Sequence, residues 1–236
     1  MKIKFHHILI GLFLAASGCK KDNYDAPTSR LSGRLVYKGE AINVEYNAVP
    51  YQIYQPGFAT KSAIQGTFDP DGNYAQLLFD GTYKFTIPAN QGPFMWKELP
   101  AGTRDSLTVN LKGSQTVDIE VTPYYLVQNA KFAATGRKVT ATFDIQKVIT
   151  DANAKNIDHV YLYVNKTQFV SGGYRLGDGD PPSIAGSAIT GMNNLSLSFD
   201  VPNIVPTQNY VFARVGLKIA GVEDLIFSPV SKVTLQ

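Results

Sequence analysis

The chain is predicted to be all-β, with two β-sandwich domains in tandem behind a short export leader. Three observations carry this. Apolar and polar residues alternate with period two in run after run from Leu31 onward, the mark of strands with one buried face. Glycine-bearing turn pairs separate the runs. Thr122-Pro123 then breaks the alternation near the middle of the chain, leaving a series of domain size on either side.

The leader comes first. Lys2 and Lys4 make a basic start, Ile8 to Ala16 is a short apolar run, and the small residues Ala16-Ser17-Gly18 lead directly into Cys19. An apolar run this short, after a basic end and before small residues, reads as a signal peptide over residues 1–18 and not as a membrane span. The segment resembles a bacterial lipobox, with Ala16 where leucine is commoner. That resemblance implies cleavage before Cys19 and acyl chains on its sulfur and amine. Two or more chains anchor a protein stably in lipid, and one holds it marginally. Lys20-Lys21-Asp22-Asn23, with Asp25, resembles the acidic export signal of Bacteroidetes surface lipoproteins, the two lysines being a departure. It implies an outer-membrane anchor that faces the exterior, with a periplasm-facing one as the alternative. Residues 19–30 are polar, contain one proline and read as a tether.

Removing residues 1–18 from 236 leaves 218, enough for two modest domains. Loss of Lys2 and Lys4 takes the formal charge from +3 to +1. A nearly neutral chain has no electrostatic footprint for nucleic acid, so none is expected as a partner. Cys19 is the only cysteine. With it committed to lipid there is no disulfide, and stability must come from core burial.

The first domain is expected over residues 31–123. Leu35 and Tyr37 alternate with Val36 and Lys38. Tyr83, Phe85 and Ile87 alternate with Lys84 and Thr86. Leu107, Val109 and Leu111 form a third run, and Val117, Ile119 and Val121 a fourth. Lys38-Gly39, Asp71-Gly72, Asp80-Gly81 and Lys112-Gly113 supply the positive φ angles that tight hairpins require. The second domain is expected over 124–236. Its inward sets are Val139-Ala141-Phe143-Ile145, Val160-Leu162-Val164, Leu195-Leu197-Phe199-Val201 and Val211-Ala213-Val215-Leu217, with Val230 and Val233 marking a last strand. Only Val148 to Asn156 is open to a helical turn.

Ser32-Gly33-Arg34-Leu35-Val36-Tyr37-Lys38-Gly39 and Leu78-Phe79-Asp80-Gly81-Thr82-Tyr83-Lys84 resemble the transthyretin-like regulatory domains found beside carboxypeptidases. Tyr210 before Val211 to Leu217, then Ser228-Pro229-Val230, resembles the last two strands of a fibronectin- or immunoglobulin-type sandwich. The pairing is more specific than either half. Phe79 to Lys84, Gly92-Pro93-Phe94, Glu120 to Tyr125 and Asn165 to Val170 together resemble an uncharacterised two-domain family of Bacteroidetes surface lipoproteins. Such proteins resemble accessory components of loci for Sus-type outer-membrane transporters and their glycan-binding partners. The resemblance implies a polysaccharide or oligosaccharide ligand and a transporter neighbour. It carries no catalytic residue across.

The residues themselves argue against catalysis. Once His6 and His7 leave with the signal, His159 is the one histidine. A Ser-His-Asp triad or a zinc site would have to be built on it, and a structural histidine just before the Val160 strand is the better reading. Asp69-Pro70-Asp71-Gly72-Asn73 superficially resembles a calcium loop. Its sixth position is Tyr74 where glycine belongs, and its twelfth is Asp80 where a bidentate glutamate belongs, so a hairpin turn is expected. Asp178 with Asp180, or Asp105 with Glu98, are the carboxylate pairs to weigh for glycoside hydrolysis. Each acid equally fits a turn or a solvated strand face. No catalytic residue, metal or cofactor is expected.

Aromatic rings are the stronger lead, because their faces stack on the C–H surface of a pyranose. Phe94 and Trp96 lie in a loop-like stretch from Pro88 to Arg104, beside Asn90, Gln91 and Lys97. The competing reading, that Trp96 plugs a sandwich end, is favoured because large aromatics usually bury most of their area. Tyr124 and Tyr125 sit at the domain junction and are expected to pack the interface, although a junction is also a place where clefts form. The glycine-rich stretch from Ser171 to Gly191 carries Tyr174, Asp178 and Asp180. It is either a mobile loop, the reading favoured here, or a calcium or sugar-hydroxyl site. Asp105-Ser106-Leu107 resembles a short O-glycosylation acceptor, which would place a glycan on Ser106. The sequence thus points to a non-catalytic, lipid-anchored glycan-capture module, with docking onto a transporter complex as the alternative and hydrolysis last.

Overall fold

The computed structural model describes residues 25–57, 62–97 and 105–235. The leader, Cys19, Glu98 and Arg104 lie outside the described residues. The protein is all-β with two domains, as expected.

The N-terminal sandwich is built from β1 (Ser29–Tyr37), β2 (Glu40–Ala41), β3 (Pro50–Tyr54), β4 (Ile64–Thr67), β5 (Asn73–Leu78), β6 (Gly81–Thr86), β7 (Phe94–Met95), β8 (Leu107–Leu111), β9 (Gln115–Thr116) and β10 (Ile119–Glu120). In one sheet β1 pairs antiparallel with β2 and β5, and parallel with β9 and β10; the other has the order β4-β3-β6-β8. Leu31, Leu35, Ile53, Tyr83, Phe85 and Ile119 are buried between them. Tyr51 stacks on Phe85 at 5.3 Å and meets Phe68 edge-on at 5.2 Å. Ser29 and Arg30, placed in the tether by their polarity, are the first residues of β1 and pair with Leu78 and Leu77.

The alternation over Val117 to Val121 predicts one strand, and the structure divides it. Val117 and Asp118 interrupt the parallel ladder between β9 and β10. There Val117 N donates to Ser32 O (2.7 Å), the Tyr74 hydroxyl donates to Val117 O (2.7 Å), and Arg34 N donates to the Asp118 carboxylate (3.1 Å). Side chains thus satisfy what the ladder leaves open. The chains come so close that a Cβ on Gly33 would lie 2.0 Å from Val117 O.

A short strand, β11 (Thr122–Pro123), pairs with β7 and ties the junction to the first domain. The C-terminal sandwich follows with β12 (Tyr125–Thr135), β13 (Lys138–Lys147), β14 (Ile157–Asn165), β15 (Ser183–Ala185), β16 (Leu195–Asp200), β17 (Tyr210–Ile219), β18 (Ile226–Phe227) and β19 (Ser231–Thr234). One sheet runs β12-β13-β16. The other runs β15-β14-β17, with β18 and β19 both on β17. The alternating sets of β13, β14 and β17 are buried as the period predicts. No helix forms over Val148 to Asn156. The Asp151 carboxylate accepts from Asn153 N (2.9 Å) and holds a turn there instead. The Ser171 to Gly191 stretch contributes β15 and one 3-10 turn, Gly186–Ala188, so part of it belongs to the sheet.

Candidate functional site: an aromatic cleft between the sandwiches

The site begins with the alternation of β17. Val211, Ala213, Val215 and Leu217 face the core, which turns Phe212, Arg214 and Gly216 outward with Tyr161 and Tyr163 of β14. On an isolated sandwich this face would meet water. Here the N-terminal domain lies on part of it. Phe227 N donates to Asn43 O (3.1 Å), Arg214 Nη2 donates to Val44 O (3.3 Å), and Gly92 N donates to the Asp224 carboxylate (2.6 Å). Arg214 is 1% exposed, with its guanidinium carbon 3.9 Å above the centre of the Phe227 ring. Burial lowers its pKa to about 9, against the opposing pull of Asp71 and Glu45. Burial likewise raises the Asp224 carboxyl above the ordinary carboxylate range, and the Gly92 N–H works in the opposite direction.

At one margin of this contact a cleft of about 490 Å³ opens between the domains. Tyr46 and Asp71 come from the first domain, and Gln168, Phe169, Phe212 and Lys232 from the second. The Tyr46 ring meets Phe169 edge-on at 5.0 Å and Tyr174 edge-on at 6.0 Å. These three residues keep 42%, 40% and 51% exposure. Scattered exposed aromatics mean little, but a cluster bordering a cleft marks a binding surface. Lys232 Nζ lies 3.9 Å from the centre of the Tyr210 ring. The Asp69 carboxylate accepts from Asp71 N (2.9 Å) and Asn73 N (2.8 Å), so the acidic loop is the expected hairpin turn and forms one wall.

Beyond the Ser171 loop lies a groove of about 400 Å³, bounded by His159, Tyr161, Tyr163, Arg175, Asp180 and Ser183. His159 stacks on Tyr161, and Tyr161 on Tyr163, each at 5.6 Å. His159 sits inside β14 beside a bulge, not ahead of the strand, with Nδ1 3.2 Å from Asp158 Oδ1. Arg175 Nη1 donates to Gly177 O (3.0 Å) and Gly179 O (2.6 Å), which braces the loop from within.

The residues proposed from sequence fall in different places. Phe94 and Trp96 are 1% and 3% exposed, and Trp96 packs edge-on to Phe85 at 6.4 Å. Neither ring offers a face to a sugar: Trp96 packs as its size favours, and Phe94 is corrected from a ligand-binding candidate to a packing residue. Tyr124 and Tyr125 are corrected in the same way. Both are buried, and the Tyr125 hydroxyl donates to Lys155 O (2.7 Å). Tyr174 packs against Tyr46 of the cleft wall, Asp180 lines the second groove, and Asp178 is exposed. Ser106 is half-buried immediately before β8, its N–H donating to the Asp105 carboxylate (2.7 Å). Tyr46, Phe169, Phe212 and Lys232 were not singled out by sequence. Tyr46 and Phe169 stand outside the alternating runs, which was the one available signal. Nothing linear connects them.

The class is therefore a tandem β-sandwich protein with its cleft at the domain boundary. Among the described residues no cluster of His, Cys, Asp and Glu could hold a metal ion. The chain belongs to the DUF3823 family: the family's N-terminal domain, of a protein of unknown function, matches residues 29–122, and its C-terminal domain of unknown function matches 125–232. The uncharacterised two-domain family expected from the motifs is thus borne out. A crystal structure of a DUF3823 family protein from Parabacteroides merdae is 33% identical with a TM-score of 0.75, covering 89% of this chain and 100% of that one. One from Bacteroides ovatus is 29% identical with a TM-score of 0.74, covering 88% and 100%. A candidate carbohydrate-binding protein from Bacteroides uniformis shares the fold at 19% identity and a TM-score of 0.69, covering 89% and 100%. No curated protein matches the chain.

Proposed function

We propose that this protein is a non-catalytic glycan-binding module and that the cleft between its sandwiches holds the sugar. The carrying observation is the exposed trio Tyr46, Phe169 and Tyr174: the first two line the cleft and Tyr174 packs against Tyr46. Pyranose C–H faces stack on such rings, while Asp71, Gln168 and Lys232 supply acceptors and donors for hydroxyls. Lys232 faces two carboxylates there, Asp69 and Asp71, which disfavours an acidic sugar. The name of the Bacteroides uniformis neighbour supports the same ligand class. In this reading the module captures glycan for a Sus-type transporter beside it.

Isothermal titration against a polysaccharide panel tests the reading. Phe169→Ala and Tyr174→Ala should each weaken the best ligand about tenfold, the size of one lost aromatic contact. Silence across the panel, or affinity indifferent to both substitutions, sinks it.

The same proposal places the protein on the outer membrane through acylated Cys19, facing the exterior. Cys19→Ser should move the protein from the membrane fraction to the soluble fraction. A variant that stays with the membrane would overturn the anchor.

A further inference from the structure

The turn from Ser171 to Tyr174 links the two depressions: Gly172 lines the groove, and Tyr174 meets Tyr46, which lines the cleft. Ser171 N donates to Tyr174 O (3.1 Å) and Tyr174 N donates to Ser171 O (3.2 Å), which closes a four-residue turn with Gly172 and Gly173 at its tip. Tyr174 leaves this turn toward Tyr46 and the cleft. Gly172 faces the other way, where a Cβ would stand 3.7 Å from the Tyr163 hydroxyl in the groove. A Cβ on Gly173 would meet nothing within 4 Å. The ridge between the two depressions is therefore bare backbone with open space above it.

The groove is furnished for sugar hydroxyls and not for an ion. Its Tyr161 hydroxyl and Ser183 both donate and accept, Arg175 donates and Asp180 accepts. Arg175 and Asp180 set one cation against one acid in the groove.

We propose that the groove is a second subsite and that the ligand is a linear, neutral oligosaccharide running from the cleft over the Gly172-Gly173 ridge into it. This rests on the glycan-binding reading of the cleft and adds chain length to it. Two glycines at the ridge are what such a path needs, because any side chain there would stand in the way of the chain. A ligand that spans both depressions gains the second contact without a second loss of translational freedom.

The test is titration of the full folded domain pair with di- to hexasaccharides of the cello-, malto- and xylo- series. Affinity in the series that binds should rise about tenfold or more between tri- and hexasaccharide. Gly173→Leu has room to fold and should abolish that rise, so that both lengths bind equally. Asp180→Ala, with folding checked by thermal melt, should reduce the hexasaccharide to the trisaccharide's affinity. A plateau at the trisaccharide, or a length dependence unchanged in Gly173→Leu, overturns the second subsite while leaving the cleft standing. Absence of binding in all three series and in the polymer panel removes both.

Discussion

Gly33→Val is expected to lower the unfolding free energy by about 3 kcal/mol or more. A Cβ at Gly33 would lie 2.0 Å from Val117 O, 2.6 Å from Val117 C and 3.0 Å from a Tyr74 ring carbon. The first two are backbone atoms, so no rotamer change relieves the clash. Val117 cannot retreat freely, because its N–H is bonded to Ser32 O and its carbonyl to the Tyr74 hydroxyl. Tyr74 is well suited to that bond: burial raises its pKa above the ordinary phenol range, so it stays protonated and donates. Displacing Val117 would disturb the parallel register on both sides, Leu31 with Gln115 and Leu35 with Ile119. The urea midpoint measures the effect, with Gly173→Leu as the open-site control. A midpoint that Gly33→Val leaves in place would contradict the close approach.

Arg214→Ala is expected to cost about 3 kcal/mol, and Arg214→Met little or nothing. The side chain fills the contact between the domains, stacked on Phe227 and bonded to Val44 O. Alanine leaves a cavity there and strands the Val44 carbonyl. Methionine also loses the bond but keeps most of the volume, and it removes a charge that burial disfavours. The sign follows from the lowered pKa of about 9. A base that binds its proton more weakly when folded is charged in both states below that value. The folded protein therefore carries the desolvation cost in full at neutral pH, and gains stability only as pH rises through about 9. Thermal unfolding at pH 7 compares the two variants. Equal losses in both would mean that the charge, not the packing, holds the domains together.

These two residues also show where sequence reasoning stops. Gly33 lies in a quoted motif, but its need for an absent side chain comes from Val117, in the break between β9 and β10 far along the chain. Arg214 falls in the polar phase of an alternating strand, which reads as a solvated face. The first domain covers that face, so the residue is buried instead. Trp96 went the way its size predicted, into the core. The aromatic cluster that borders the cleft could not be read, because Tyr46, Phe169 and Tyr174 come from loops of two domains.

The sequence by itself determined the all-β class, the two-domain division, the inward residues of β6, β13, β14 and β17, and the family. All of these depend on local period, turn chemistry and contiguous motifs, which are written along the chain. Only the tertiary structure decided which outward faces stay wet. Docking one sandwich on another converts a surface arginine into a buried one and gathers three unrelated aromatics around a cleft. That outcome depends on how two finished domains fit together, and no period in the sequence encodes it.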